Sequence, residues 1–194
     1  MDLLENAAAN GQKTCTCQSL FQQADSMRHH IKPFLHRHEP RGHWHGHLKS
    51  GAGAVIGMST VGGLAIATGI PLLIAPFGAT AVLIFGQPRS VLAQPANVLG
   101  GYLVAALIGG VAMAMFPGLW WAATVGVGLA IAAMLVLRVT HPPAGAVPLV
   151  ALGSHLAATT LFFIVLLGGL TLISIAVLHH LIPPRQQYPL RAEQ

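Results

Sequence analysis

Residues 138–149, RVTHPPAGAVPL, place a guanidinium (Arg138), an imidazole (His141), two consecutive prolines (Pro142 and Pro143) and a glycine (Gly145) inside an otherwise apolar run. That set suits the holding of an anion. Proline is tolerated in the first turn of a helix, where its missing N–H would have no partner in any case. A half-helix begun at Pro143 leaves the amides near Ala144, Gly145 and Ala146 outside the hydrogen-bond ladder. Such an N-terminus carries roughly half a positive elementary charge and is a ready anion site. Gly145 lets a ligand approach the backbone closely. His141, whose ordinary pKa is about 6.5, either carries a proton beside an anion or caps a carbonyl that the prolines expose. Arg138 either supplies formal charge to the path or snorkels to lipid headgroups.

A second stretch repeats the pattern. PLLIAPFGATAVLIFGQ, residues 71–87, carries Pro76, Gly78 and Thr80 in an apolar setting. At an offset of 67 residues Pro76 falls on Pro143, Gly78 on Gly145, Ala79 on Ala146 and Gly86 on Gly153. Each half then reads helix, proline-glycine segment, helix, which makes an internal two-fold repeat the expectation. Gly/Pro-interrupted segments at corresponding positions of two halves point to a transporter's binding site. The competing reading is that these residues only kink helices or let them pack closely. Arg89, in GQPRS, is a further candidate for the path or a headgroup contact. Asn97 and Gln94, near the start of a later helix, either line the path or cap that helix. The small-residue pairs Gly53/Gly57 and Ala105/Gly109 read first as packing, within or between subunits.

The elements that must position these residues follow from composition. Of the 194 residues 54% are hydrophobic and 8% charged, against roughly 25% charged in soluble domains, so the chain cannot cover its surface with charge. We expect an all-α, polytopic membrane helix bundle. Its four long apolar stretches run from about Gly51 to Ile70, Pro95 to Phe116, Leu119 to Leu137 and His155 to Leu181. Each approaches the ~20 residues that cross a hydrocarbon core, and two broken short helices lie between them. The expected domains are a basic, histidine-rich tail (1–49), a transmembrane body (50–182) and a short tail (183–194). Within the first tail, Leu20, Phe21, Ala24, Met27 and Ile31 fall at helical spacing, which suggests an interfacial helix over 18–32. Residues 36–50, HRHEPRGHWHGHLKS, are expected to be irregular.

All five acids, Asp2, Glu5, Asp25, Glu39 and Glu193, lie outside the body, whose formal charges are Arg89 and Arg138. Two arginines without a carboxylate imply water, an anion or backbone carbonyls beside them. Lysine and arginine crowd the two ends, so both termini are expected in the cytoplasm. If each broken segment crosses the bilayer, Arg89 and Arg138 share that side and the halves are oppositely oriented. If the segments are re-entrant, both arginines face the other way.

IAPFGATAVLIFGQPRSVLAQPANVLGGYLVAALIG (74–109) together with THPPAGAVPLVAL (140–152) resembles the HPP family of integral membrane proteins, whose motif is here His141, Pro142 and Pro143. The likeness covers roughly 48–182, with the PFGA, QPANVLGG and HPPAGA blocks in family order. Ala96 stands where many members carry a basic residue, which weakens that position as an anion ligand. The resemblance implies a four-helix membrane protein with a transport role. Relatives associated with nitrite transport make nitrite the expected substrate.

The leading expectation is therefore a transporter or channel for a small inorganic anion in the inner (plasma) membrane. Its partners would be the anion and the bilayer, and assembly into a homo-oligomer is left open. No nucleic acid, cofactor or resident metal is expected. The body holds no serine–histidine–acid set, carboxylate pair or phosphate loop, so an enzyme is not expected. The alternative is a membrane-anchored metal or pH sensor, using His36, His38, His43, His45 and His47 with Cys15 and Cys17. Their irregular spacing fits a solvated basic tail near anionic lipid better.

Overall fold

The computed structural model describes Arg37, residues 42–154 and residues 156–191. The expected helix over 18–32, Cys15, Cys17, His36, His38 and His155 lie outside those residues. Every regular element among them is helical. In chain order they are α1 (Trp44–Thr68), α2 (Ala75–Ala81, continued by a π-turn over Val82–Gly86), a 3₁₀ turn (Val91–Ala93), α3 (Pro95–Met115), α4 (Trp120–Val136), a second 3₁₀ stretch (Pro142–Ala146), α5 (Val147–Ser154) and α6 (Ala158–Leu181).

Three helices, α1, α3 and α6, are long and apolar enough to cross a membrane. The fourth expected span, α4, is shorter at 17 residues, or about 25 Å at 1.5 Å per residue. Local chemistry trims it at both ends. Gly118, with φ of 74°, turns the chain before it. After it, Arg138 N–H donates to Leu135 O (3.2 Å) and Val139 N–H to Met134 O (3.0 Å). That pair of bonds is a Schellman cap with Arg138 in the left-handed position, φ 58°, where glycine is usual. The first helix departs the other way. Residues 44–50, expected to be irregular, are its opening turns, and the compact body begins at Gly42. Ser50 Oγ donates back to Gly46 O, a bond that leaves the helical backbone intact through the histidine-rich stretch.

α3 is the centre of the body. Gly101, Ala105 and Gly109 form a narrow buried face on it, and Pro148 of α5 packs there, its Cα 3.0 Å from where a Cβ on Gly109 would stand. Gly53 and Gly57 likewise admit Phe85, His179 and Leu172 against α1. Both small-residue pairs thus pack inside the chain. Around them Val61, Phe77, Ile84, Phe85, Tyr102, Met134, Ile164 and Leu172 are fully or almost fully buried.

Both breaks traverse the bundle, each as an extended piece followed by a half-helix. After Gly69, in the left-handed cap of α1, the chain doubles back. Leu73 packs at the level of Gly62, and Phe85 reaches Gly53 and Gly57. The loop that follows meets the chain's end: Tyr188 O–H donates to Ala93 O (3.0 Å) and Leu190 N–H to Gln94 Oε1 (2.8 Å). Lys49 Nζ donates to Ile182 O and Pro184 O at 2.6 and 2.8 Å. The starts of α1 and α3 and the end of α6 therefore gather at one end. The second break runs the opposite way: Val139 and His141 pack on Gly100 and Gly101, and Pro148 lies farther along at Gly109.

Candidate functional site

Where the two broken segments meet, four groups form one buried line. Tyr102 Oη lies 2.6 Å from Thr80 Oγ1, Thr80 Oγ1 lies 2.8 Å from His141 Nε2, and His141 Nδ1 lies 2.8 Å from Leu92 O. Thr80, Tyr102 and His141 have no exposed surface. The direction of every bond follows from one constraint. A carbonyl can only accept, so His141 Nδ1 carries the proton, and because a ring buried without a carboxylate beside it is neutral, Nε2 offers a lone pair. The Thr80 hydroxyl then donates to Nε2, which leaves its oxygen to accept from Tyr102. The imidazole is neutral and both its nitrogens are engaged.

Each member comes from a different element. Thr80 faces inward from α2, which Pro76 opens at its first turn. Tyr102 projects from α3 and rests its ring edge-on to Phe77, centroids 5.3 Å apart. Leu92 belongs to the 3₁₀ turn after the first break. His141 is the residue on which the second 3₁₀ stretch starts, with its ring 5.1 Å from that of Tyr102. Asn97 adds a fourth tie, its Nδ2 donating to Thr140 O at 3.1 Å. The two ruptures are thus bonded to each other through side chains 61 residues apart.

The remaining sequence candidates fall in several places. Pro76 and Pro143 are buried and Pro142 exposed. Gly145 is buried, with Ile131 Cγ1 3.9 Å from its notional Cβ. Gly78 faces away from it. It lines an apolar cleft of about 470 Å³ with Ser50, Gly51, Ala54, Val55 and Met58 of α1. The two matched glycines do not face a common space there. Arg89 and Arg138 are exposed. The Ala144 amide, expected to be free, is taken by His141 O at 3.0 Å, and in the matching segment Phe77 N–H likewise donates to Ile74 O at 3.0 Å. The cause is the tight i→i−3 winding of a first turn led by proline.

Tyr102 is the participant that sequence reading missed. A tyrosine amid GGYLVAALIGG was a visible signal, because its O–H seeks a partner when buried. Tyr188 was missed too, and burial pushes its phenol pKa up by disfavouring the phenolate. No cluster of three or more metal-ligating side chains exists among the described residues.

The family described as HPP, transmembrane region, matches residues 39–189. Two transmembrane proteins of Dictyostelium discoideum are each 32% identical to the chain. One match covers 125 residues, 60% of this chain and 40% of the relative. The other covers 127 residues, 61% of this chain and 45% of the relative. The chain thus matches less than half the length of these curated relatives. No solved structure matches it.

Proposed function

We propose that this chain, which belongs to the HPP transmembrane family, is a secondary transporter or channel for a small inorganic anion, with nitrite as the favoured substrate. The observation that carries the reading is the Thr80–His141 contact, which ties the start of the second half-helix to the second turn of the first inside the bundle. Each half-helix is positive at its N-terminal end, and no carboxylate exists between Ser50 and Ile182 to oppose that charge. Discontinuous helices that converge in the membrane interior are the usual architecture of a substrate site in secondary transporters.

Each broken segment is taken to cross the bilayer, for six crossings in two halves of opposite orientation. Charge placement supports this arrangement. Lys49, Arg89, Arg138 and Arg185 then share one end, and the opposite turns, 116–119 and 156–157, carry no lysine or arginine. By the positive-inside rule that end, with both termini, faces the cytoplasm. The Tyr102–Thr80–His141–Leu92 line is dry and self-satisfied, so the described conformation is read as the closed one. An anion passes when the half-helices part and their opening turns become wet.

The test is flux of nitrite, nitrate and chloride into vesicles reconstituted with the full chain, compared with Arg138→Gln and His141→Ala variants. Flux above that of empty vesicles for at least one anion is expected, reduced in both variants. Equality with empty vesicles for all three anions refutes transport. Removing residues 1–47 should leave flux largely intact, whereas loss of function on that deletion would favour the sensor role for the histidine-rich tail.

A further inference from the structure

Two histidines outside the central line sit where α1 begins and α6 ends. His179 is 8% exposed and His180 2%. His180 Nε2 lies 2.7 Å from Ile84 O, and since a carbonyl only accepts, Nε2 holds the proton and Nδ1 is a bare lone pair. That Nδ1 has no partner, nor does Nε2 of His179. Roughly nine in ten buried polar atoms are paired, so two orphans on neighbouring residues need a cause.

Their surroundings are short of counter-charge. From α1 come Gly53, whose notional Cβ would lie 2.8 Å from His179 Nε2, and the Lys49 ammonium, which donates to Ile182 O, two residues past His180. The first broken segment contributes Phe85, centroids 5.4 Å from His179 and 6.4 Å from His180. From the C-terminal segment comes Tyr188, 5.4 Å from His180, while Arg185 Nε donates to Leu181 O. None of these groups is acidic.

We propose that His179 and His180 are the transporter's proton-binding site, and that a proton loads there only in company with the transported anion. This rests on the anion-transport reading above. Imidazole is the side chain whose charge changes near neutral pH. Loading makes one N–H bond from an orphan lone pair and leaves a second cation beside Lys49, with no carboxylate to offset it. A small monovalent anion drawn to that end offsets the charge that the proton adds. By linkage, proton and anion then raise each other's affinity by the same factor. The site also has a route to the central line, because Ile84, which His180 holds, lies one turn beyond Thr80 on the same broken segment.

The probe is nitrate, whose acid is too strong to carry protons through lipid unaided. Vesicles holding the full chain start with equal nitrate on both sides, voltage is clamped, and the exterior is made more acidic by about one pH unit. One-to-one coupling concentrates nitrate inside about tenfold. His179→Gln and His180→Gln should abolish that accumulation while downhill nitrate exchange persists. Should either variant fail to fold, proton uptake by the detergent-solubilised wild-type protein on adding nitrate decides, with about one proton per chain expected. Exchange without accumulation, variants that accumulate like wild type, or no proton uptake overturns the coupling alone. Wild type that moves no anion overturns the transport reading and this inference together.

Discussion

Replacing Thr80 by valine keeps the shape of the side chain and deletes the hydroxyl at the middle of the buried line. Two bonds disappear, to Tyr102 Oη at 2.6 Å and His141 Nε2 at 2.8 Å. Hydrogen bonds between membrane helices average about 0.6 kcal/mol and reach at most about 1.7. Here the loss is worse than two average bonds, because a buried donor (Tyr102 O–H) and a buried acceptor (His141 Nε2) are stranded. An orphaned buried group costs about 1–3 kcal/mol. We expect Thr80→Val to destabilise by roughly 2–4 kcal/mol. Tyr102→Phe should cost only about 0.5–1.5 kcal/mol, because the Thr80 hydroxyl still donates to His141 and merely loses a proton offered to its oxygen. The order follows from the bond directions, which the Leu92 carbonyl fixes. Reversible unfolding of the purified protein in mixed micelles by SDS, followed by circular dichroism, measures both variants. A Tyr102→Phe loss equal to or larger than that of Thr80→Val refutes the assigned directions. A Thr80→Val protein as stable as wild type refutes the line itself.

Two further perturbations test the packing and the cap. A Cβ on Gly168 would strike the fully buried Phe77 ring, so Gly168→Ala should cost about 1–3 kcal/mol in the same assay. Gly63→Ala, which meets nothing, should be neutral or gain up to about 1 kcal/mol of helix propensity, and equal losses at the two sites would refute the packing account. Arg138→Gly removes the steric cost of a left-handed residue, about 1–2 kcal/mol, less the entropy glycine loses on folding, so the expected net gain is about 0.5–1 kcal/mol. A variant more stable yet slower in anion flux would separate the cap made by the Arg138 backbone from the charge on its side chain, and a loss of stability would refute the strain.

The two breaks were legible because proline and glycine act locally. Pro76 and Pro143 each sit in an opening helical turn, as their chemistry requires, and the apolar runs became helices. The shortness of α4 was less visible: its last turn is set by a Schellman cap on an arginine, where the usual marker is glycine. The start of α1 was missed for the converse reason, since Gly46 and three flanking histidines look like loop, yet nothing in them forbids a helix. The central line was half visible. Thr80 and His141 were named as candidates, but their partnership depends on α3 passing between the breaks with Tyr102 at the right height, and spacing along the chain carries no such information. The orphan nitrogens of His179 and His180 were equally hidden, since only packing against Gly53 and Phe85 removes their water.

The bond between Thr80 and His141 also bears on timing. Under the proposed transport role, any route for solute between the half-helices must first separate those two atoms, so the strength of one short contact would help set how often such a gate stands ajar. If closure is favoured by about 2 kcal/mol, roughly 3% of molecules are open at any instant. Weakening the contact from its Thr80 side, which keeps the imidazole in place, would then trade firmness of shape for frequency of opening, and under the proposed transport role Thr80→Val would conduct faster.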